Sequence, residues 1–128
     1  MGTSLPIYVD TAVSGSGALP AVEPATATLI TDTAGRGCGG SLIRGFHGTL
    51  ATVGGIVTVN IYDGPTVATS RQYYSVSLDF TTLAQTSDTQ AAGVPALKDM
   101  YVTLTGDATA ATKAFEGLAY LQKLSIGS

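Results

Sequence analysis

The fold is decided most clearly by the stretch Val57-Thr58-Val59-Asn60-Ile61-Tyr62, which is followed by Asp63-Gly64-Pro65. Apolar and polar residues alternate along it, which is the period of a β-strand with one buried face. Asp, Gly and Pro in succession are typical of a turn that ends a strand. We therefore predict a strand over residues 57–62, with its apolar positions directed into a core.

The same period of two recurs on both sides of this strand, at residues 5–9, 25–30, 42–50, 74–80, 100–105 and 118–124. Gly54-Gly55 predicts a tight hairpin between two of these runs, and the polar residues 81–93 are predicted as a long loop. Residues 108–114 favour at most a marginal turn of helix. The chain is therefore predicted to be all-β. We expect an antiparallel β-sandwich or jelly-roll-like domain of seven to eight short strands, with at most one short helical turn. Alternation does not distinguish these two topologies.

The first 23 residues differ in composition from the rest of the chain. Pro6 favours an edge position for the run Leu5–Val9, and residues 10–23 are rich in Gly, Ser, Ala and Pro. We predict that residues 1–23 form an N-terminal arm or edge strand with a flexible connection, and that residues 24–128 form the β-sandwich domain. Such an arm could add as a strand to the sheet edge of an adjacent subunit.

The 128-residue chain carries few charges. Asp, Glu, Lys and Arg make up 12% of it, about half of the ~25% that is typical. Such a surface is tolerated best where neighbours cover it. The composition therefore favours an assembly subunit over an ordinary β-domain with a Thr-rich surface.

Charge and hydropathy also exclude several classes of partner. The net charge is −3 and the six basic residues are scattered, so no basic stripe for nucleic acid is present. The N-terminal residues lack the pattern of a signal peptide, and no apolar run approaches the ~20 residues of a membrane span. Cys38 is the only cysteine, which excludes an intrachain disulfide. We expect a soluble protein with neither nucleic acid nor membrane as partner.

Residue types used in catalysis are present, but without the patterns that catalysis needs. The glycine-rich run 35–41 lacks the Lys of a phosphate-binding loop, and nothing local lowers the pKa of Cys38. His47 is the only histidine, so one His and one Cys fall short of a zinc site. A calcium site using Asp32, Asp63 or Asp107 stays open, although the usual spacing is absent. We predict no catalytic, cofactor-binding or metal-binding residues, and hence no enzyme and no cofactor.

Paired carboxylates of a glycosidase need a separation of about 5–10 Å. An aromatic-lined cleft would also be expected, but the chain has no Trp. The acidic residues considered for such a pair are Asp63, Asp79, Asp99, Asp107 and Glu116.

Candidate contact residues are better represented than catalytic ones. His47 alternates with Phe46, so if Phe46 lies in the core then His47 faces outward. Tyr73 alternates with Tyr74 in the same way, and we expect it to be an exposed aromatic suited to a protein contact. The predicted interface residues are Ile7, Tyr8, Arg44, His47, Tyr73 and Tyr101.

Four stretches of the chain resemble small β-sandwich structural proteins of tailed bacteriophages. They are Arg44-Gly45-Phe46-His47-Gly48-Thr49-Leu50, the run from Val57 to Gly64, the run from Gly93 to Gly106, and Leu118-Ala119-Tyr120-Leu121. Such proteins often show a strand ending at Tyr-Asp-Gly and a later strand of the type Gly-Leu-Tyr-Val-x-Leu-Thr-Gly. Asp99-Met100 stands here where Gly-Leu is usual. The likeness spans residues 40–124.

The resemblance implies a non-enzymatic virion protein at the capsid surface, namely a capsid decoration or cement protein, which would be made in the host cytoplasm. Its expected partners are the major capsid protein and other copies of itself, with a trimer favoured over a dimer. The family offers no catalytic residues to transfer. A phage neck, tail or fibre-head component is the first alternative. A carbohydrate-binding β-sandwich module is the second.

Overall fold

The computed structural model describes residues 7–32, 35, 37–96 and 99–124. The described chain contains eight strands and one 3₁₀ turn, Val67–Thr69. The strands are β1 (Ile7–Ala18), β2 (Thr28–Asp32), β3 (Ser41–Leu50), β4 (Ile56–Tyr62), β5 (Gln72–Asp79), β6 (Gln85–Pro95), β7 (Met100–Gly106) and β8 (Ala114–Leu124). The predicted all-β fold of seven to eight strands is confirmed.

The strands form two antiparallel sheets. Sheet I has the order β1-β8-β3-β6, and sheet II has the order β2-β7-β4-β5. Every connection crosses from one sheet to the other except β4–β5, which is a hairpin. This alternate wrapping is the strand order of a jelly roll, so the structure decides between the two topologies that alternation left open.

Strand β2 belongs to both sheets. Its first three residues pair with β7, and Thr31 and Asp32 pair with Val13 and Ala12 of β1. On the opposite side of the molecule, β5 and β6 lie close together, but no hydrogen-bonded ladder joins them in the described chain. The sandwich is therefore joined along one side and open along the other.

The core lies between the two sheets and follows the predicted alternation in β4, where Val57, Val59 and Ile61 are fully buried. Phe46 stacks on Tyr74 of the facing sheet at 6.0 Å between ring centroids, and Phe80 meets Phe115 edge-on at 6.1 Å. The other large, fully buried side chains are Ile30, Ile43, Leu50, Leu78, Met100 and Leu121.

The alternation fails in β3 because of a β-bulge. The register with both neighbouring strands shifts between Ile43 and Gly45, and Gly45 and Phe46 are buried in succession. A bulge reverses which face the following residues occupy. Consequently Arg44 lies on the same outer face as His47, although strict alternation would place it with Phe46.

The predicted long loop over residues 81–93 is wrong. Gln85–Pro95 forms β6, which pairs with β3 at the edge of sheet I. The run Gln85-Thr86-Ser87-Asp88-Thr89-Gln90 has no apolar position. An edge strand of this composition produces no alternating signal, because the period of two depends on one buried face.

The predicted hairpin at Gly54-Gly55 is also wrong, because β3 and β4 lie in different sheets. Both glycines have positive φ, 113° and 106°, and they form the corner between the sheets. Lys113 Nζ donates hydrogen bonds to the carbonyl oxygens of Val53 and Gly54, each at 3.0 Å. The corner is therefore tied to the β7–β8 turn.

Residues 7–18, predicted as an arm or edge strand with a flexible connection, form β1. This strand pairs with β8 from Ile7↔Leu124 to Ala18↔Ala114, with one irregularity after Val13. The glycines and serines at positions 14–17 suit that irregularity, since Gly15 and Gly17 both have positive φ. Strand β1 is thus the outermost strand of sheet I, and the predicted flexible connection does not extend over residues 10–18.

The segment 108–114, predicted to favour at most a marginal turn of helix, contains no helix, and residues 108–113 form a turn. Asp107 Oδ1 accepts hydrogen bonds from the backbone N–H groups of Thr109 at 3.0 Å and Ala110 at 2.8 Å, which closes a side-chain-capped turn. Thr112 then adopts a left-handed conformation with φ of 68°. These two features define a turn that leads into β8.

Replacing Thr112 with asparagine is expected to stabilise the fold by about 1 kcal/mol. Left-handed φ strains a β-branched residue, whereas asparagine tolerates it. Thr112 is exposed, and its backbone N–H, which donates to the Leu19 carbonyl at 2.8 Å, would be unchanged. Urea unfolding measures the gain. Thr109→Asn in the same turn is the control, and an equal gain there would contradict the strain argument.

Candidate interaction surface

The outer face of sheet I presents a row of side chains across its four strands. Backbone pairing places Val13 opposite Leu118, Leu118 opposite His47, and His47 opposite Ser87. Tyr120 lies two residues from Leu118 on β8, on the same face. We call this set the sheet I patch.

The side chains of the sheet I patch are accessible and partly ordered by one another. Val13 is 50% exposed and Tyr120 is 36% exposed. A hydrogen bond of 2.7 Å links His47 Nδ1 with Ser87 Oγ, and the rings of His47 and Tyr120 are 6.4 Å apart and tilted by 56°. Tyrosine and histidine held beside aliphatic side chains are typical of a protein contact, because each combines apolar area with a polar group.

Arg44 and His47, both predicted as interface residues, are brought together on this face. Ile7 and Tyr8 lie in β1 of the same sheet, paired through their backbones with Leu124 and Lys123. Their side chains lie outside the described part of the structure. Tyr101 is elsewhere, on the outer face of sheet II.

The expectation for Tyr73 is wrong in part. Tyr74 is buried as predicted, but Tyr73 is only partly exposed and packs against the core. The β4–β5 register shifts between Ile61 and Tyr62, and this irregularity accounts for both neighbouring rings being directed toward the protein. Tyr73 lines a groove of about 480 Å³ between β5 and β6, together with Val94 and Pro95.

The outer face of sheet II holds a polar cluster centred on Glu23, which sequence analysis missed. Its Oε2 accepts hydrogen bonds from Thr103 Oγ1 at 2.6 Å, Asn60 Nδ2 at 2.8 Å and the Tyr62 hydroxyl at 2.8 Å. The Ser75 hydroxyl donates to Asn60 Oδ1 at 2.6 Å. Glu23 comes from the β1–β2 connection, so the cluster fastens that connection to β4 and β7.

This cluster changes the acidity of both of its titratable groups. Partial burial raises the pKa of Glu23, but the hydrogen bonds from Thr103, Asn60 and Tyr62 outweigh it and leave the pKa below its usual value. Burial and the neighbouring carboxylate raise the pKa of Tyr62 to about 12. Three donors on one carboxylate oxygen indicate a structural anchor, not a proton donor or acceptor.

Glu23→Gln is expected to lower the free energy of unfolding by about 1–2 kcal/mol at pH 7, because charge-assisted hydrogen bonds become neutral ones. The folded-state pKa is lowered, so this contribution is present above pH 4.5 and is lost as the pH falls through the folded-state pKa. Urea unfolding of both proteins at pH 7 and pH 3 tests this. If the free energies of unfolding of the two proteins differed equally at both pH values, the argument would be wrong. Asp99→Asn, in an exposed loop, is the control.

The structure does not assemble the residues considered for catalysis. Cys38 is fully buried, with Sγ 3.9 Å from the Ile30 carbonyl oxygen, whereas His47 lies on the outer face of sheet I. Thiol and imidazole are therefore on opposite sides of a sheet and cannot exchange a proton.

The carboxylates considered for a glycosidase pair are largely engaged in turns. The backbone N–H and side chain of Arg71 bind Asp63 at 2.7 and 3.0 Å and hold its pKa below the usual value. Backbone N–H groups of Thr81 and Ala110 lower the pKa values of Asp79 and Asp107 in the same way. Among the described residues, no three His, Cys, Asp or Glu side chains are grouped to hold a metal ion.

Comparisons with family models, with curated proteins and with solved structures find no match for this chain. Within residues 7–32, 35, 37–96 and 99–124, the structure contains no helix of the length and hydropathy needed to cross a membrane.

Proposed function

We propose that this chain is a non-enzymatic structural protein of a virion, and that a neighbouring subunit covers its sheet I patch in the assembled particle. The patch carries the proposal. It places accessible Val13 and Tyr120 beside Leu118 and His47 on a hydrogen-bonded sheet, which holds them in a fixed arrangement for contact.

Composition supports the same role. Charged residues form 12% of the chain, and low charge suits a surface that is covered in an assembly. The jelly roll is used by viral capsid domains and also by lectins, so the fold alone does not select between them. The phage-like stretches favour the first. The role proposed is that of a decoration or cement protein that binds the lattice of the major capsid protein at the capsid surface and stabilises the head.

The test is the number of copies in purified particles from the genome that encodes the chain, counted by quantitative peptide mass spectrometry. A decoration protein is expected in hundreds of copies, in proportion to the major capsid protein. A handful of copies would indicate a neck, tail or fibre-head component. Absence from the particles would overturn the proposal.

The patch itself is tested by matched substitutions on the two sheets. Tyr120→Lys on sheet I is expected to reduce occupancy of the particle, because burying a lysine in a contact is unfavourable. Leu29→Lys on β2, at a side chain of similar exposure (46%), should not. Equal occupancy for both variants would show that the patch is not the contact surface. Specific binding of the isolated chain to a glycan array, lost in Tyr120→Lys, would favour the carbohydrate-binding alternative.

A further inference from the structure

Two opposite charges flank the sheet I patch along its central strands. Arg44 lies near the start of β3, and Glu116 lies on β8 opposite Thr49, near the end of β3. Among the described side chains of this outer face, these two are the only charged ones apart from the titratable His47.

The row of the patch lies midway between these charges. Glu116 is two residues from Leu118 along β8. Arg44 is three residues from His47 along β3, but it lies in the bulge, which shortens this separation relative to β8. At ~3.3 Å per residue the two charges are about 15 Å apart along the strands. The row from Val13 to Ser87 therefore lies at the centre of the face, with a cation on one side of it and an anion on the other.

This arrangement is complementary to itself in one orientation. A two-fold axis that runs along the row, parallel to the sheet and perpendicular to the strands, reverses the strand direction in the second copy. Each Arg44 then lies opposite Glu116 of the other copy, and Leu118 packs against its own counterpart. An axis parallel to the strands would instead bring the two Arg44 side chains together, which like-charge repulsion disfavours.

We propose that the subunit covering the sheet I patch is a second copy of this chain, packed face to face about that two-fold axis. The inference rests on the proposed use of the patch as a contact surface and specifies its partner. Self-complementary patches of this kind make closed two-fold dimers, whereas a trimer needs two different surfaces. The charge positions thus favour a dimer over the trimer that the phage resemblance implies.

The face is large enough for a stable pair. Four strands at ~4.8 Å spacing and ten residues at ~3.3 Å give about 600 Å² per copy, or about 1,200 Å² in total. That total lies at the lower end of the range for specific, stable interfaces. Two sheets packed face to face in an aligned manner are also a standard arrangement.

Sedimentation equilibrium of the full chain tests the proposal with charge reversals. The wild type is expected to have twice the 12.9 kDa mass of one chain. Arg44→Glu and Glu116→Arg should each weaken the dimer ~10-fold or more, because each places like charges opposite one another. The double variant Arg44→Glu/Glu116→Arg should restore it. Asp99→Lys, an exposed loop reversal, is the control and should leave the dimer unchanged.

Thermal unfolding of each variant confirms that it is folded, since both charges point away from the core. A monomeric wild type, single reversals without effect, or a double variant that stays monomeric would each overturn the two-fold pairing. Particle copy number is measured separately. A monomer that still occupies the capsid overturns only the pairing, and a dimer absent from particles overturns only the proposed function.

Discussion

Gly55→Ala is expected to destabilise the fold by about 3–5 kcal/mol, which combines backbone strain with overpacking. Gly55 has φ of 106°, a conformation that residues with a side chain rarely adopt. A Cβ there would lie 2.5 Å from the Ala110 backbone nitrogen and 2.8 Å from Asp107 Oδ1. Neither group can move without opening the β7–β8 turn, so the corner between the sheets would have to shift. Urea unfolding measures the loss.

Gly17→Ala separates the two contributions. Gly17 has nearly the same φ, 114°, but no atom lies within 4 Å of the position its Cβ would take. The Gly17→Ala variant should lose only the stability that backbone strain costs, about 1–2 kcal/mol. Equal losses for the two variants would show that the contact with Ala110 is not important.

Phe115→Ala is expected to lower the free energy of unfolding by about 3–5 kcal/mol, as for other buried aromatic residues truncated in a core. Phe115 lies on β8 of sheet I and meets Phe80, which follows β5 of sheet II. The substitution therefore leaves a cavity between the sheets. Thermal or urea unfolding measures the loss.

Leu83→Ala is the control for this prediction, because Leu83 is 63% exposed and its truncation should change stability by no more than about 0.5 kcal/mol. A double-mutant cycle with Phe80→Leu and Phe115→Leu isolates the ring contact, for which we expect a coupling of about 0.5–1.5 kcal/mol. A coupling of zero would mean that the rings contribute only through their buried area.

The fold class was predictable because its signal is local. The spacing of Val57, Val59 and Ile61 is enough to indicate a strand with one buried face. A strand of this kind needs other strands to pair with, which favours an all-β fold. Strand β6 was not predicted, because the first six residues of this edge strand are all polar and therefore show no alternation of apolar and polar positions. The corner at Gly54-Gly55 was misassigned since glycines with positive φ serve equally in hairpins and in crossings between sheets.

The candidate surface was predictable only in part. Outward placement of His47 followed from its alternation with Phe46, but the bulge that brings Arg44 to the same face depends on pairing with β6 and β8. The Glu23 cluster could not be predicted from the sequence, because its partners Asn60, Tyr62 and Thr103 are 37, 39 and 80 residues away along the chain. Tyr120 was assigned only to a closing strand, and its place beside His47 follows from the β3–β8 register.

The division of β2 between the two sheets has a mechanical consequence. Ile30 pairs with β7, and the next residue, Thr31, pairs with β1. The two sheets are therefore joined by hydrogen bonds along one side of the sandwich, through the single short strand β2. We expect local opening of the core to begin between β5 and β6, where no ladder joins the sheets. The sheets would separate on that side while β2 remained paired with both β1 and β7. Amide hydrogens of β2 should accordingly exchange more slowly than those of the outer strands β5 and β6. A domain built this way can open along the β5–β6 side while the pairing of β2 keeps the two sheets in register.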